Sequence, residues 1–253
     1  MTKHLTILTG GSRGMGLAMG QQLLQRGHHV LSIARRTSAD LAASATSPDQ
    51  LVQWEQDLAD TDGAAKRLAD WLAGLNAADW ASVTLINNAG VVPHIAPLSG
   101  VPTADLRNAM RVGLEAPMAL TGVFLGATDN WTMPRKVLNV SSGLGRRAMA
   151  SQAAYCAAKA GMDHFTRCLA LDEAHKPQGA RVCSLAPGVI DTDMQAQLRS
   201  ADAAQFPDAD NFAQLKAGGQ LTSPADAAAR VLAWLERADF GDAPVADVRD
   251  AKA

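Results

Sequence analysis

The stretch Thr9-Gly10-Gly11-Ser12-Arg13-Gly14-Met15-Gly16 decides the fold of this 253-residue chain. It follows a β-rich run at residues 5–9 and opens a helical stretch that we expect to end near Arg26. Glycines permit a tight turn and let a diphosphate approach the backbone, while the helix N-terminus supplies free N–H groups and a partial positive charge. The spacing is GxxxGxG, whereas the commonest dinucleotide fingerprint is GxGxxG. A strand, this turn and a helix in succession predict a dinucleotide site, with a plain strand-to-helix turn as the alternative.

Further apolar runs follow the glycine turn and alternate with Ala-rich helical stretches. They lie at residues 30–34, 51–54, 83–87, 137–141, 182–186 and, more weakly, 245–248. This alternation is typical of βαβ units, so we expect an α/β fold with a doubly wound parallel sheet of about seven strands and helices on both faces. Most of the runs lack a strict polar–apolar alternation, as expected for strands that are covered on both faces.

The domain organisation is predicted to be simple. Neither a linker rich in Gly, Ser or Pro nor an internal repeat divides the chain, so we expect one domain over residues 1–253. The segment 188–221 has no strong pattern, and long loops in compact domains are usually lids or binding loops. We therefore expect a substrate flap at residues 188–221.

Charge and composition exclude several classes of function. There are 23 Lys and Arg against 25 Asp and Glu, and no basic stripe, which argues against nucleic acid or anionic membranes as partners. No apolar run approaches the roughly 20 residues that span a bilayer, and the N-terminus lacks a signal core. Cys156, Cys168 and Cys183 have no CxxC pairing, so we expect reduced thiols and a cytoplasmic protein. No cluster has metal-ligand spacing, and we expect no metal.

Four motifs in the expected order resemble the short-chain dehydrogenase/reductase family. The glycine turn resembles its TGxxxGxG, and Asn87-Asn88-Ala89-Gly90 resembles its NNAG after strand four. Ser142 precedes a YxxxK pair by the usual 13 residues, and Pro187-Gly188 with Thr192 resembles the PG…T segment after strand six. The resemblance covers essentially the whole chain. It implies a single Rossmann-type domain and hydride transfer between a nicotinamide cofactor and a carbonyl or alcohol.

The end of strand two is expected to choose between the two nicotinamide cofactors. An acidic residue there would hydrogen-bond the adenosine ribose and select NAD, whereas a basic residue would neutralise a 2′-phosphate. Ala34 occupies the acidic position, and Arg35 and Arg36 follow it. The family fold implies that Arg13 points toward the same corner. We therefore predict NADP(H), with a merely solvated arginine pair as the alternative.

The resemblance also implies a set of residues that contact the cofactor. The set comprises Gly10, Ser12, Arg13, Gly14, Met15, Gly16, Arg35, Arg36, Asp57, Leu58, Asn88, Ala89, Gly90, Tyr155, Lys159, Pro187, Gly188, Val189 and Thr192.

Three residues are predicted to be catalytic: Ser142, Tyr155 and Lys159. Tyr155 and Lys159 are four apart on a predicted helix and therefore share a face. A nearby ammonium favours the phenolate and should lower the tyrosine pKa from about 10. Such a tyrosine can protonate a carbonyl oxygen as hydride arrives, while Ser142 hydrogen-bonds that oxygen. Tyr155 is the only tyrosine of the chain, which makes a chance YxxxK spacing less credible.

One position departs from the family pattern. Family members have an Asn in the long helix after strand four, where it supports a water chain that leads to the lysine. Gly113 stands at that position, and Asn108 lies five residues earlier. Two readings stay open: the backbone carbonyl of Gly113 holds the water, or the proton relay is impaired and turnover is slow.

The substrate is predicted to be a small carbonyl compound, reduced with NADPH to an alcohol. The flap residues Met194, Leu198, Phe206 and Phe212 are apolar and suit a modest apolar ketone, diketone or aldehyde. Arg146 and Arg147 are expected on the surface, with a role in binding a polar substrate as the alternative.

Two further resemblances concern the branch and the assembly. The tail at 240–250 resembles the branch that contains sepiapterin reductases and benzil-type diketone reductases. Alternative functions are a 3-oxoacyl thioester reductase, another alcohol dehydrogenase of the family, or an NADPH sensor without turnover, which only Gly113 favours. The resemblance further implies a homodimer or homotetramer paired through helices near 103–128 and 151–176.

Overall fold

The runs that are rich in Val, Ile and Leu form the strands of one sheet in this computed structural model, which describes residues 3–250. The strands are β1 (Lys3–Thr9), β2 (His29–Ala34), β3 (Leu51–Glu55), β4 (Trp80–Asn87), β5 (Arg135–Val140), β6 (Arg181–Ala186) and β7 (Val245–Asp247). All neighbouring pairs are parallel, and the order is β3-β2-β1-β4-β5-β6-β7. The predicted doubly wound parallel sheet of about seven strands is confirmed.

Helices connect the strands. They are α1 (Gly14–Gln25), α2 (Ala39–Ala42), α3 (Thr61–Ala73), α4 (Thr103–Met110), α5 (Ala116–Ala127), α6 (Ala153–Ala174), α7 (Asp193–Arg199), α8 (Ala209–Ala217) and α9 (Pro224–Leu235). A π-helical turn at Arg111–Glu115 joins α4 to α5. Short 3₁₀ turns lie at Ala77–Asp79, Leu98–Gly100 and Gly143–Gly145.

Alternate side chains of β1 enter two different cores. Leu5 and Ile7 belong to the cluster on one face of the sheet, which includes Phe124 of α5. Leu8 belongs to the cluster on the other face, together with Met19 of α1. Because successive side chains of a strand point to opposite faces, this division shows that helices cover the sheet on both sides.

The strand order reverses at β1, which lies between β2 and β4. In open parallel sheets a crevice forms at such a switch point, outside the carboxyl ends of the strands. The glycine turn leaves β1 at this place, and residues 88–90 leave β4 beside it. The topology therefore brings the two segments together.

The flap at 188–221 contains two helices, α7 and α8, so its reading as a patternless loop is wrong. The two helices are short and pack on each other through a small core of their own. Phe206 is fully buried there with Leu198 and Ala209, and its ring stacks on Phe212 at a centroid distance of 5.7 Å. Because this core is separate from the sheet, neither helix carries a long amphipathic pattern.

No helix within residues 3–250 combines the length and the apolar character that crossing a membrane requires.

Candidate active site

A cleft of about 970 Å³ opens at the carboxyl ends of the strands. All of the residues predicted to bind the cofactor or to be catalytic line this cleft except Arg36. The lining also includes the start of the flap and the loop after β5.

The glycine turn forms a cradle that has no room for side chains. A Cβ on Gly16 would lie 2.1 Å from the carbonyl oxygen of Gly10, and one on Gly10, whose φ is +73°, would lie 2.9 Å from Ala89 Cα. Thr9 Oγ1 accepts hydrogen bonds from the backbone N–H groups of Asn88 (2.9 Å) and Ala89 (3.0 Å), which fixes the two segments to each other. Since α1 begins at this turn with free N–H groups, the cradle fits the diphosphate of a dinucleotide.

Two arginines, Arg35 and Arg36, directly follow β2. Arg35 lines the cleft directly after the strand, whereas Arg36 is exposed and outside the lining. Arg13 also lines the cleft, and its Nη1 forms an exposed ion pair with Asp193 Oδ2 at 2.9 Å. This pair connects the glycine turn to the first residue of α7.

Helix α6 places Tyr155 and Lys159 one turn apart at the cleft wall. Lys159 is buried, and its Nζ donates a hydrogen bond to the carbonyl oxygen of Val140 at 2.7 Å. The same Nζ lies 6.0 Å from the centroid of the Tyr155 ring. Tyr155 Oη is 3.9 Å from Met194 Sδ, so α7 covers the phenol. Ser142 precedes the 3₁₀ turn after β5, and its Oγ accepts a hydrogen bond from Leu144 N at 3.1 Å.

Burial shifts the pKa values of Tyr155 and Lys159 in opposite directions. Burial raises the pKa of Tyr155, and the nearby Ser142 hydroxyl only partly offsets this effect. The predicted lowering by Lys159 is therefore wrong for this arrangement, because the ammonium is directed at the Val140 carbonyl and burial dominates. Burial also lowers the pKa of Lys159 to about 8, against the opposing charge of Asp163.

Asp163 is a buried residue of this site that the sequence analysis missed. Its Oδ1 accepts hydrogen bonds from Ser141 Oγ (2.5 Å) and Ser184 Oγ (2.7 Å). Its Oδ2 accepts one from Arg146 Nε (3.2 Å), and Arg146 Nη2 donates to Ala246 O (2.9 Å). Arg146 and Arg147 are both exposed at the cleft, as expected, but Arg146 is in addition held by these hydrogen bonds to Asp163 and Ala246. The available signal was helical spacing, because Asp163 is one turn beyond Lys159 on the same face.

The substrate side of the cleft is more polar than predicted. Met194, Leu198 and Phe212 line it as expected, but Phe206 lies in the flap core instead. The lining also includes polar side chains that the sequence analysis did not single out, among them Gln152, Gln195 and Arg199.

Gly113 is buried within the π-helical turn between α4 and α5. A Cβ at this position would lie 3.0 Å from the Cβ of Ala158 on α6. An Asn side chain would therefore press against the catalytic helix between Tyr155 and Lys159. Close packing of the two helices is a physical reason for glycine at this position.

No group of three or more His, Cys, Asp or Glu side chains in the described part of the chain is arranged to hold a metal ion.

A parallel doubly wound sheet with a glycine cradle at its switch point defines a dinucleotide-binding protein of the Rossmann type. A family model described as short chain dehydrogenase matches residues 4–203. The chain therefore belongs to the short-chain dehydrogenases, which are oxidoreductases that bind a nicotinamide cofactor and act on carbonyl or alcohol groups.

Individual relatives define the branch. A benzil reductase ((S)-benzoin forming) from Bacillus cereus is 34% identical over 235 residues, covering 92% of this chain and 94% of the relative. The protein of the same description from Bacillus subtilis is 32% identical, with coverages of 92% and 94%. The crystal structure of a short-chain dehydrogenase/reductase from Burkholderia vietnamiensis has 33% identity, coverages of 98% and 99%, and a TM-score of 0.66. The resemblance to the benzil reductase branch is confirmed.

Proposed function

We propose that this protein is an NADPH-dependent reductase that converts a small ketone, diketone or aldehyde to an alcohol. One observation carries the proposal: Ser142, Tyr155 and the buried Lys159 line the same cleft as the glycine cradle. The relatives described as benzil reductases support carbonyl reduction as the reaction.

The mechanism follows from the state of each side chain. When bound, a nicotinamide cofactor supplies the hydride. The raised pKa of Tyr155 keeps its phenol protonated at neutral pH, so Tyr155 can give its proton to the carbonyl oxygen. Ser142 donates a hydrogen bond to the same oxygen and stabilises the charge that develops on it.

The remaining contacts divide between the two ends of the cofactor. Pro187, Gly188, Val189 and Thr192 leave β6 and would hold the nicotinamide amide, and Lys159 would contact its ribose. Asp57 and Leu58 follow β3 and would contact the adenine.

NADP preference is proposed to depend on Arg35 together with Arg13. A guanidinium binds phosphate with paired, charge-assisted hydrogen bonds, and no carboxylate occupies the end of β2. We expect Arg35→Asp to reduce the NADPH-to-NADH affinity ratio by about 10- to 100-fold. The matched control is Arg36→Asp, which lies outside the cleft lining and should have a smaller effect. Equal ratios in the native protein and the Arg35 variant, measured by fluorescence titration, would remove Arg35 from the phosphate site.

The catalytic assignment is tested by NADPH oxidation with a small carbonyl panel. The panel contains a vicinal diketone, a pterin side-chain ketone, an acetoacetyl thioester and a simple aldehyde. We expect Tyr155→Phe to lower the rate by about 10²-fold or more, because general acids typically supply 10²- to 10⁴-fold. NADPH affinity should change little. A variant that keeps more than about a hundredth of the rate would show that Tyr155 is not the acid.

A second candidate function is favoured by Gly113 alone. A chain whose proton relay fails would bind NADPH without turnover and could act as a sensor of that nucleotide. Tight NADPH binding without oxidation of any carbonyl in the panel would support this candidate. Preferred turnover of the acetoacetyl thioester would instead select the 3-oxoacyl reductase alternative.

Assembly is proposed to involve the outer faces of α4, α5 and α6. Met118 and Leu171 are exposed on these helices, at 49% and 67%. Such apolar side chains would be covered in a homodimer or homotetramer. Light scattering after gel filtration tests this, and Leu171→Glu should shift the mass toward the monomer.

The three free cysteines favour a cytoplasmic location.

A further inference from the structure

Helix α6 presents three functional side chains on one face. Tyr155, Lys159 and Asp163 follow one another at four-residue spacing, so they lie one above the other along the helix. The first two belong to the proposed catalytic set, and the third is 1% exposed. A buried carboxylate is costly unless it is paired and hydrogen-bonded. The partners of Asp163 therefore show which parts of the chain it holds together.

The Asp163 carboxylate holds the chain on both sides of the proposed catalytic serine, Ser142. Ser141 Oγ, one residue before it, donates a hydrogen bond to Oδ1 at 2.5 Å. Arg146 Nε, four residues after it, donates to Oδ2 at 3.2 Å. The loop that carries Ser142 is thereby attached at both of its ends to one side chain of α6.

Arg146 makes a second connection from the same guanidinium. Its Nη2 donates a hydrogen bond to the carbonyl oxygen of Ala246 in β7 at 2.9 Å. The donors of a guanidinium form a planar fork with fixed directions. Two bonds to acceptors on different elements therefore fix where the end of the loop lies relative to α6 and β7.

The turn between the two attachments rests directly on α6. A Cβ on Gly145 would lie 2.9 Å from both Asp163 Oδ2 and the carbonyl oxygen of Lys159. Gly145 N donates to Ser142 O at 3.0 Å, and Leu144 N donates to Ser142 Oγ at 3.1 Å. The turn thus holds both the backbone and the hydroxyl of Ser142.

We infer that Arg146 is a positioning residue, which together with Asp163 sets the place of the Ser142 hydroxyl relative to Tyr155. In the proposed mechanism one carbonyl oxygen is reached by both hydroxyl groups, and these lie on different elements. The distance between the loop and α6 therefore affects how well the two groups act together. The inference rests on the proposed reductase function and adds a residue that acts through Ser142.

The first test is Arg146→Lys, which keeps the positive charge beside Asp163 but replaces the fork with a single nitrogen. One ammonium on a flexible stem cannot hold Asp163 and the Ala246 carbonyl in the native geometry. With NADPH and a vicinal diketone we expect kcat to fall about 3- to 10-fold, which is less than the loss of a whole oxyanion donor causes. NADPH affinity should stay unchanged. Because the charge is kept, the alkaline limb of the pH–rate profile should not move.

A double-mutant cycle separates positioning from a general loss of structure. In a Ser142→Ala background the hydroxyl is gone, so Arg146→Lys should lower kcat no further. Ser141→Ala removes the attachment on the other side of Ser142 and should be non-additive in the same way. An unchanged kcat of Arg146→Lys in the native background, or an equal loss in both backgrounds, would overturn the inference.

Hydrogen exchange measures the hold on the loop without turnover. We expect Arg146→Gln to speed amide exchange over residues 142–147 by about tenfold or more, while β5 and α6 keep native protection. Arg146→Lys should act in the same direction to a smaller extent. The matched control is Arg147→Gln, which removes the same charge from the next residue, also exposed at the cleft, and should leave exchange unchanged. Native exchange in both Arg146 variants would overturn the inference.

Failure of the proposed function has a different signature. If Ser142→Ala reduces the diketone as fast as the native protein, Ser142 has no catalytic role and the proposed mechanism is wrong. If NADPH binds but no carbonyl is reduced, the function is wrong, and hydrogen exchange still decides whether Arg146 holds the loop. A slow Ser142→Ala variant that Arg146→Lys slows further by its full factor contradicts the positioning role alone.

Discussion

Replacing Asp163 with Asn should weaken both the stability and the alkaline activity of this protein. The variant keeps an oxygen that can accept from Ser141 Oγ and Ser184 Oγ, which lie 2.5 and 2.7 Å from the native carboxylate. It loses the charge that faces Arg146 Nε at 3.2 Å. A hydrogen bond between charged groups contributes about 1.5–3 kcal/mol. Because Arg146 is one-third exposed and can be hydrated, we expect the free energy of unfolding to fall by about 2 kcal/mol. For a chain of this size that lowers Tm by about 4–8 °C.

The effect on activity has a definite sign. Lys159 has a pKa of about 8 because burial lowers it while the Asp163 carboxylate opposes the lowering. The other groups near its ammonium are the Val140 carbonyl, the Met162 thioether and the Tyr155 ring, none of which is charged at this pH. Removing the carboxylate lowers the Lys159 pKa further, so the protonated lysine is lost at a lower pH. The alkaline limb of kcat/KM should therefore move to lower pH.

The assay is a pH–rate profile with NADPH, measured beside thermal unfolding. Asp172→Asn is the matched control, since Asp172 is an exposed residue of the same helix and should alter neither the limb nor Tm by much. An unchanged alkaline limb in a destabilised Asp163→Asn variant would refute the electrostatic part of the reasoning. It would leave Asp163 as a structural residue only.

Three further predictions concern separate parts of the molecule. Gly16→Ala should abolish NADPH binding, because its Cβ would lie 2.1 Å from Gly10 O. The control Gly122→Ala has open space around the new methyl group, and we expect it to raise the free energy of unfolding by about 0.5–1 kcal/mol, measured by thermal unfolding. Gly113→Asn should raise turnover above that of Gly113→Ala only if the proton relay limits the rate, since both variants place the same Cβ 3.0 Å from Ala158 Cβ and only Asn adds the carboxamide. Equal rates would mean that the backbone carbonyl suffices. Burial lowers the pKa of His28 to about 4 from 6.5, so the unfolded chain binds the extra proton first and stability falls as pH drops from 6.5 toward 4. We expect a loss of about 1–2 kcal/mol, discounted for the exposed part of the ring, and His28→Gln should make chemical unfolding less dependent on pH in this window.

The strands and the glycine cradle could be predicted because their signals are local. The strands coincide with short runs rich in apolar residues. The left-handed φ at Gly10 favours glycine, so this turn can be recognised from the residue type alone. The two flap helices left no such trace. Helix α7 has seven residues, α8 has nine, and both pack on Phe206 instead of the sheet.

The parts of the site that escaped prediction depend on contacts between distant segments. The raised pKa of Tyr155 follows from burial, and α7, whose Met194 covers the phenol, is nearly forty residues further along the chain. Asp163 is intermediate, because helical spacing places it beside Lys159 but only the folded sheet brings Ser184 to it.

The π-helical turn at Arg111–Glu115 also sets the rotation of α4 relative to α5 about their common helix axis. Such a turn holds one residue more than an α-helical turn, so deleting a single residue there would restore a regular helix without breaking it. Everything on one side of the deletion would then rotate by about 100° relative to the other side. Asn108, which lines the cleft from α4, would turn out of it while α5 kept its place against the sheet. The number of residues between α4 and α5, and not only their type, therefore determines which side chains of α4 line the cleft.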